Sequence, residues 1–288
     1  MINIQTSDWN EYELLDSGNG RKLERFGKYI LNRIETQAMW KQSLNESEWH
    51  KADAVFKKTD DRHGEWNFKS KIPDSWTLSF EGLKLELRLT PFGHVGVFPD
   101  QASQWSWIGQ KIKDSNRPIN LLSLFTYTGA STLAAASAGA SIVHVDASKP
   151  AITWARDNQR LSGLTDKPIR WIPEDALKFV KREVRRNSRY DAIILDPPKF
   201  GRGPQGEVWK FEENFAELLD YSRQLLSEQP LFVLITAYAV PISSITLSNM
   251  LSDAMKKHKG SVEYGELGLK QTSNERILPT AIYSRWET

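Results

Sequence analysis

YDAIILDPPKF, residues 190–200, passes directly from an apolar segment into an acid, two prolines, a lysine and an aromatic. Ile193, Ile194 and Leu195 leave no room for amphipathic alternation, the pattern of a strand covered on both faces of a parallel sheet. The ladder has to stop at Pro197, because a proline offers no N–H and forces the residue before it into extended geometry. Asp196-Pro197-Pro198 therefore leaves the sheet as a stiff, non-helical arm.

The same rhythm extends outward from this strand. Apolar runs of strand length alternate with helical segments from about residue 118: INLLSLF then STLAAASAGA, SIVHVD then PAITWARDNQRL, IRWIPED then ALKFVKREVRR. After YDAIILD come FEENFAELLDYSRQLL, the strand-like PLFVLITAY, a helix near ISSITLSNMLSDAMKKH, and finally VEYGELGLK and RILPTAIYSRW. Such alternation predicts an α/β fold, a doubly wound sheet with right-handed crossovers. The first hundred residues differ, being rich in Trp and charge. Within WTLSFEGLKLELRL, Leu83, Leu85, Leu87 and Leu89 alternate with Lys84, Glu86 and Arg88, which reads as a hairpin turning at Gly82.

Composition narrows the setting. A chain of 288 residues can bury about 75% of its unfolded surface, enough for one large or two smaller domains. No run of about 18 apolar residues is present, and the acidic start MINIQTSDWNEYELLD has no apolar signal core, so a cytoplasmic location is expected. With no cysteine, disulfides, thiolate catalysis and Cys-based metal sites are all excluded. The five histidines lack metal-ligand spacing, so no metal is expected. A net charge of +2 leaves the partner open.

In a doubly wound sheet the ligand crevice lies beyond the carboxyl ends of the strands. The residues there are FTYTGA (125–130), Asp146, Asp175 and Asp196. An acid after the second strand suits a ribose diol, a device shared by several nucleotide-binding folds. The first loop separates them. It carries only Gly129, between Thr128 and Ala130, where a pyrophosphate needs G-x-G-x-x-G. S-adenosylmethionine has no phosphate, so one glycine permitting close approach, with polar Thr126 and Thr128, suffices. Asp175 can then accept from the adenine amine.

FTYTGAS, the acid of VHVDAS, EDAL and LDPPKF together resemble the class I S-adenosylmethionine-dependent methyltransferases, in particular the large-subunit ribosomal RNA methyltransferase group, over roughly residues 95–288. The resemblance implies a Rossmann-like, seven-stranded sheet whose last strand, in ILPTAIYSRW, is antiparallel. It divides the chain into a small substrate-side α/β domain at 1–98, containing DSGNGRKLERFG, and a cofactor-binding domain at 99–288. It also implies contacts to the methionine end from Phe98, Asp100 and Gln101. The cofactor set is then these three with Phe125, Thr126, Tyr127, Thr128, Gly129, Asp146, Ala147, Ser148, Asn158, Asp175, Ala176 and Asp196. Asn158 joins only if its helix begins near Pro150.

Relatives that methylate carbon 5 of cytosine use a cysteine commonly placed after the fifth strand, where this chain reads LITAYAVP. Without a thiolate the ring is not activated by covalent addition, which excludes that reaction. The resemblance shifts toward N-methyltransferases, in which an acid or amide before Pro-Pro holds a planar amine. The catalytic set is therefore Asp196, Pro197, Pro198 and Phe200, with Asp196 and the Pro197 carbonyl accepting from the amine and Phe200 stacking on the base. RNA is the expected partner and rRNA the favoured one. The alternatives are a protein or small-molecule substrate, a nicotinamide-dependent oxidoreductase, and a non-catalytic RNA-binding protein.

Several residues have a plainer reading. Asp146 and Asp175 each stand where a helix cap belongs, although a cap can also bind a ligand. The basic run KFVKREVRRNSR reads first as a solvated helix face. Trp105 and Trp107 suit stacking on a base or packing equally.

Overall fold

The computed structural model describes residues 3–6, 8–60, 63–203 and 205–288. Its elements begin with β1 (Asn3–Gln5), β2 (Tyr12–Gly18), β3 (Arg21–Phe26), β4 (Tyr29–Ile34), α1 (Glu46–Trp49), β5 (Ala54–Lys58), β6 (Gly64–Phe68), β7 (Trp76–Phe80) and β8 (Leu83–Leu87). Then follow α2 (Ala102–Asp114), β9 (Asn120–Leu124), α3 (Ala130–Ser137), β10 (Ser141–Asp146), α4 (Lys149–Leu161), β11 (Ile169–Pro173), α5 (Ala176–Arg185) and β12 (Ala192–Leu195). The chain ends with β13 (Phe200–Arg202), β14 (Val208–Lys210), α6 (Phe211–Gln224), β15 (Phe232–Tyr238), α7 (Ser244–Met255), β16 (Ser261–Lys270) and β17 (Ile277–Glu287).

Two compact units result. One comprises Met1–Gln5, Ser103–Leu267 and Ala281–Thr288; the other comprises Thr6–Ala102 and Gly268–Thr280. The boundary near residue 100 thus falls at 102/103 rather than 98/99, and each unit also takes a segment from elsewhere in the sequence.

The larger unit is built on an eight-stranded sheet in the order β1-β16-β17-β15-β12-β9-β10-β11. From β15 to β11 every pairing is parallel, and β17 runs antiparallel to β15 with Phe232 opposite Glu287. The antiparallel strand in ILPTAIYSRW is therefore present. The expected seven strands become eight because β1 adds to the edge beside β16, with Ile4 opposite Glu266.

Two-sided burial explains the unbroken apolar runs. Leu122, Leu124, Ile193, Leu195, Val233 and Ile235 pack on one side with Phe179 of α5, Phe215 of α6 and Leu247 of α7. Leu121, Ala192, Ile194, Phe232 and Leu234 pack on the other with Ile108 and Ile112 of α2 and Ala135 of α3. Each fully buried Leu or Ile side chain contributes about 1.5–3 kcal/mol, so a four-residue strand such as β12 is stable only between such layers. The chain leaves β9 outward through β10 and β11, then returns to β12 on the other side of β9. That reversal places the ligand crevice beyond the carboxyl ends of β9 and β12.

The smaller unit carries the sheet β2-β3-β4-β5-β6 and the pair β7-β8. The β7-β8 hairpin turns through Glu81 at φ 45° and Gly82 at φ 85°, the two left-handed residues that a tight hairpin turn requires. Within this unit, buried Asp16 accepts from the Ser43 and Leu44 backbone, the Trp49 indole and the Gln271 amide.

Candidate cofactor and acceptor site

The loop after β9 is wound tightly. Phe125, Tyr127 and Gly129 have φ of 60°, 47° and 85°. Left-handed backbone costs the two non-glycine residues of order 1–3 kcal/mol each, so the surroundings must impose it. The Phe125 N–H is held by the Val145 carbonyl at 3.0 Å, and the Gly129 N–H by the Thr126 carbonyl at 2.8 Å. From below, the Thr126 hydroxyl lies 2.8 Å from Ser123 Oγ and 3.1 Å from His144 Nδ1, and Thr132 Oγ1 lies 2.8 Å from the same nitrogen. All four side chains are buried. The Thr126 hydroxyl therefore points into the protein, where it braces the loop.

A Cβ on Gly129 would sit 3.1 Å from Ala155 Cβ and 3.4 Å from Trp171 Cη2, so the absence of a side chain leaves room for α4 and β11. Asn158 lies on α4, which begins at Lys149, beside Pro150. It is fully buried, and its amide donates to the Thr128 carbonyl at 3.0 Å, a second brace on the loop.

Asp146 closes the crevice side of this loop. Its Oδ2 accepts from the Tyr127 N–H at 3.1 Å and its Oδ1 from the Ser148 N–H at 2.8 Å. Each carboxylate oxygen retains a lone pair after accepting one N–H, enough for two neighbouring hydroxyls. Burial pushes this carboxyl above the usual range, opposed by the Ser148 and Tyr127 N–H groups. Ala147 follows it half-buried, and exposed Ser148 caps α4 through Ala151 N–H at 3.3 Å. Asp175 caps α5, its Oδ1 accepting from Lys178 N–H at 2.8 Å, while Oδ2 has no hydrogen-bond donor among the described residues. The Ala176 methyl packs into the core, so only its backbone N–H, at the open start of the helix, can face a ligand.

At the end of β12, the Asp196 N–H binds the Leu124 carbonyl at 3.1 Å, so the arm leaves beside the β9 loop. Thr236 Oγ1 donates to Asp196 Oδ1 at 2.5 Å. Pro197 is buried and Pro198 exposed, and the Pro198 carbonyl accepts from Trp209 Nε1 at 2.7 Å. The Trp209 ring lies 4.8 Å from that of Phe125, joining the arm to the loop. Phe200 is 45% exposed.

Trp209, Thr236, Ser123, Thr132 and His144 were not singled out in the sequence. A signal existed for two of them, since Ser123 and His144 interrupt apolar strands and sit opposite each other in the β9-β10 register. The bland readings hold elsewhere. In the basic run, Lys181 pairs with Glu217 at 2.7 Å, Arg186 with Glu183 at 3.1 Å, and Arg182 with Glu174. Trp105 is buried, and Trp107 packs on Phe232 and beneath Arg285. Phe98, Asp100 and Gln101 lie in the smaller unit around the short helix Pro99–Gln101. Within that unit, burial raises the Asp100 carboxyl against the opposing pull of Lys22 and a hydrogen bond with Thr280.

Asp146, Asp175 and Asp196 thus stand at the carboxyl ends of β10, β11 and β12, around a loop with no Lys or Arg between Phe125 and Ser148. An acidic, phosphate-averse crevice with paired acceptors fits a cationic nucleoside. The family model of the S-adenosylmethionine-dependent methyltransferases matches residues 21–232. The chain belongs to this family. Its cofactor is S-adenosylmethionine, and the nicotinamide reading is set aside. An S-adenosylmethionine-dependent methyltransferase from Agrobacterium tumefaciens is 43% identical, with a TM-score of 0.95 covering 100% of this chain and 93% of that one. A chain from Streptococcus mutans, 17% identical with a TM-score of 0.72 over 97% of this chain and 76% of its own, shares the fold. The ribosomal RNA large subunit methyltransferase K/L of Shewanella frigidimarina is 34% identical over 148 residues, 51% of this chain and 20% of that protein. The chain spans about a fifth of the length of the curated relatives it matches.

Among the described residues no group of three or more metal-ligating side chains gathers, and no helix is long and apolar enough to cross a membrane.

Proposed function

We propose that this methyltransferase acts on a nitrogen of an RNA base, with ribosomal RNA the favoured substrate and the cytoplasm its place of work. The observation that carries the reading is the Asp196 arm, fixed by Thr236 and Trp209 and bonded through its own N–H to the residue that opens the cofactor loop. The partial match to relatives named as ribosomal RNA methyltransferases supports the choice of RNA.

Asp146 accepts from the two ribose hydroxyls, Asp175 from the adenine amine, and the Ala176 N–H faces the same base. The sulfonium donor supplies an already activated methyl group. Asp196 and the Pro197 carbonyl accept the protons of the acceptor amine, which holds it flat and aims its lone pair at the methyl carbon. Phe200 covers the base. Bound S-adenosylmethionine would supply the methyl group, and the Asp196 carboxylate would stabilise the positive charge developing on the acceptor nitrogen and then take its proton. Alignment to within about 3–3.5 Å supplies much of the barrier reduction.

The test is Asp196→Ala, assayed on ribosomal RNA with the product nucleosides resolved by mass spectrometry. S-adenosylmethionine affinity is expected to stay within about threefold while turnover falls by about a hundredfold or more, the cost of one well-placed electrostatic contact. The wild-type product is expected to carry its methyl on nitrogen. A methyl on carbon or on ribose oxygen refutes the role given to the arm, and equal losses in affinity and turnover move Asp196 into the cofactor pocket.

A further inference from the structure

The residues after the arm form a two-stranded ribbon with unlike faces. Phe200 stands opposite Lys210, Gly201 opposite Trp209, and Arg202 opposite Val208. Side chains alternate along a strand, so Gly201 and Trp209 share one face while Phe200, Arg202, Val208 and Lys210 share the other. The first face is buried: Trp209 is 3% exposed, and a Cβ on Gly201 would meet Pro198 and Trp209 at 3.6 Å. The second faces out, with Val208 51% and Phe200 45% exposed and both cations exposed.

The ribbon is secured at its tip. Lys178 of α5 donates to Gln205 Oε1 at 2.7 Å and pairs with Glu207 at 3.7 Å, and the Gly203 N–H binds the Glu207 carbonyl at 2.9 Å. Glu207 belongs by alternation to the Trp209 face, so none of the four outward strand residues is itself acidic. Lys210 shares its charge with Glu213 at 2.8 Å. Arg202 has no carboxylate within ion-pair distance among the described residues.

We infer that this outward face is a docking surface for the single-stranded RNA flanking the target base, with Val208 meeting the neighbouring base and Arg202 meeting phosphate while Phe200 keeps the target base. The inference rests on the RNA reading above. A charge-matched occupant must be anionic, and an exposed aromatic beside an exposed arginine is the pairing that stacks bases while tracking a backbone. Two residues of strand set Arg202 about 7 Å beyond Phe200. A base on Phe200 therefore carries its phosphate toward Arg202, in continuity with the acceptor arm two residues upstream.

The test is fluorescence anisotropy with fluorescein-labelled single-stranded oligouridine over rising potassium chloride. Arg202→Glu and Val208→Asp are each expected to weaken binding about tenfold, whereas Arg202→Lys stays near wild type. Arg202→Ala is expected to flatten the slope of log affinity against log salt by about 0.7, one released phosphate contact. Calorimetric affinity for S-adenosylmethionine stays unchanged in all four, which also reports on folding. If wild type binds the oligomer and Arg202→Glu and Val208→Asp bind it equally well, the ribbon is not the surface, and the RNA reading survives. If wild type neither binds the oligomer nor methylates ribosomal RNA, the RNA reading fails and the ribbon with it.

Discussion

Asp146 joins two tasks in one carboxylate. Its oxygens hold the N–H groups of Tyr127 and Ser148, so the same group that shapes the loop also presents acceptors to the crevice. Hydrogen bonds to a charged acceptor contribute about 1.5–3 kcal/mol each. Asp146→Ala is expected to weaken S-adenosylmethionine binding by a factor of about ten to several hundred in a calorimetric titration. Asp146→Asn should fare no better, because the new NH₂ must face an N–H on either side. The shift of this carboxyl gives the pH dependence its sign. Burial raises it, so as pH falls the acceptor is neutralised earlier than an ordinary aspartate, and cofactor affinity should begin to decline above the usual aspartate range. Unchanged affinity in a folded Asp146→Ala protein removes the ribose assignment.

At the scale of elements, β9, β10 and α3 are fastened by a polar knot in an apolar layer. His144 is fully buried, and that burial lowers its pKa from 6.5 to about 3. The folded chain thus keeps the ring neutral while the unfolded chain protonates it, and stability falls as pH drops below 6.5, with nothing lost above it. The slope from this one residue is about 1.4 kcal/mol per pH unit. Urea unfolding of wild type and His144→Gln between neutral pH and mild acid should give a steeper acid loss for wild type by up to one proton. Parallel slopes would count against the neutral, buried ring. The same layer shows why some elements were legible and others were not. Strands covered on both faces must be largely apolar, so β9, β10, β12 and β15 announced themselves, and the acids ending β10 to β12 followed from their positions. The orientation of Thr126 did not follow, because three left-handed residues redirect side chains in a way that spacing does not encode. The β13-β14 ribbon was missed because its strands are three residues each, in a stretch rich in glycine and charge. β1 was missed because its partners lie more than 250 residues away, at Gly265 to Leu267.

At the scale of the whole molecule, one compositional fact constrains the chemistry everywhere: none of the 288 residues is cysteine. Methylating carbon 5 of a pyrimidine requires a nucleophile to add at carbon 6, so that carbon 5 gains the electron density to take the methyl. The adduct is then released by loss of the proton from carbon 5. Fluorine at that position cannot leave as a proton, so an enzyme using this route stays covalently bound to its RNA. Here the residues near the end of β15 that face the Asp196 side include Thr236, whose hydroxyl is already engaged by Asp196 Oδ1 and stays protonated at neutral pH. RNA containing 5-fluorocytosine, incubated with this protein and S-adenosylmethionine, is therefore expected to give no complex that survives denaturing electrophoresis. The same RNA should still be methylated on nitrogen, because the fluorine leaves the acceptor amine and its path to Asp196 in place. A denaturation-resistant band that forms only with S-adenosylmethionine would mean that some other side chain serves as the nucleophile, and the direct displacement assigned to the Asp196 arm would have to be abandoned.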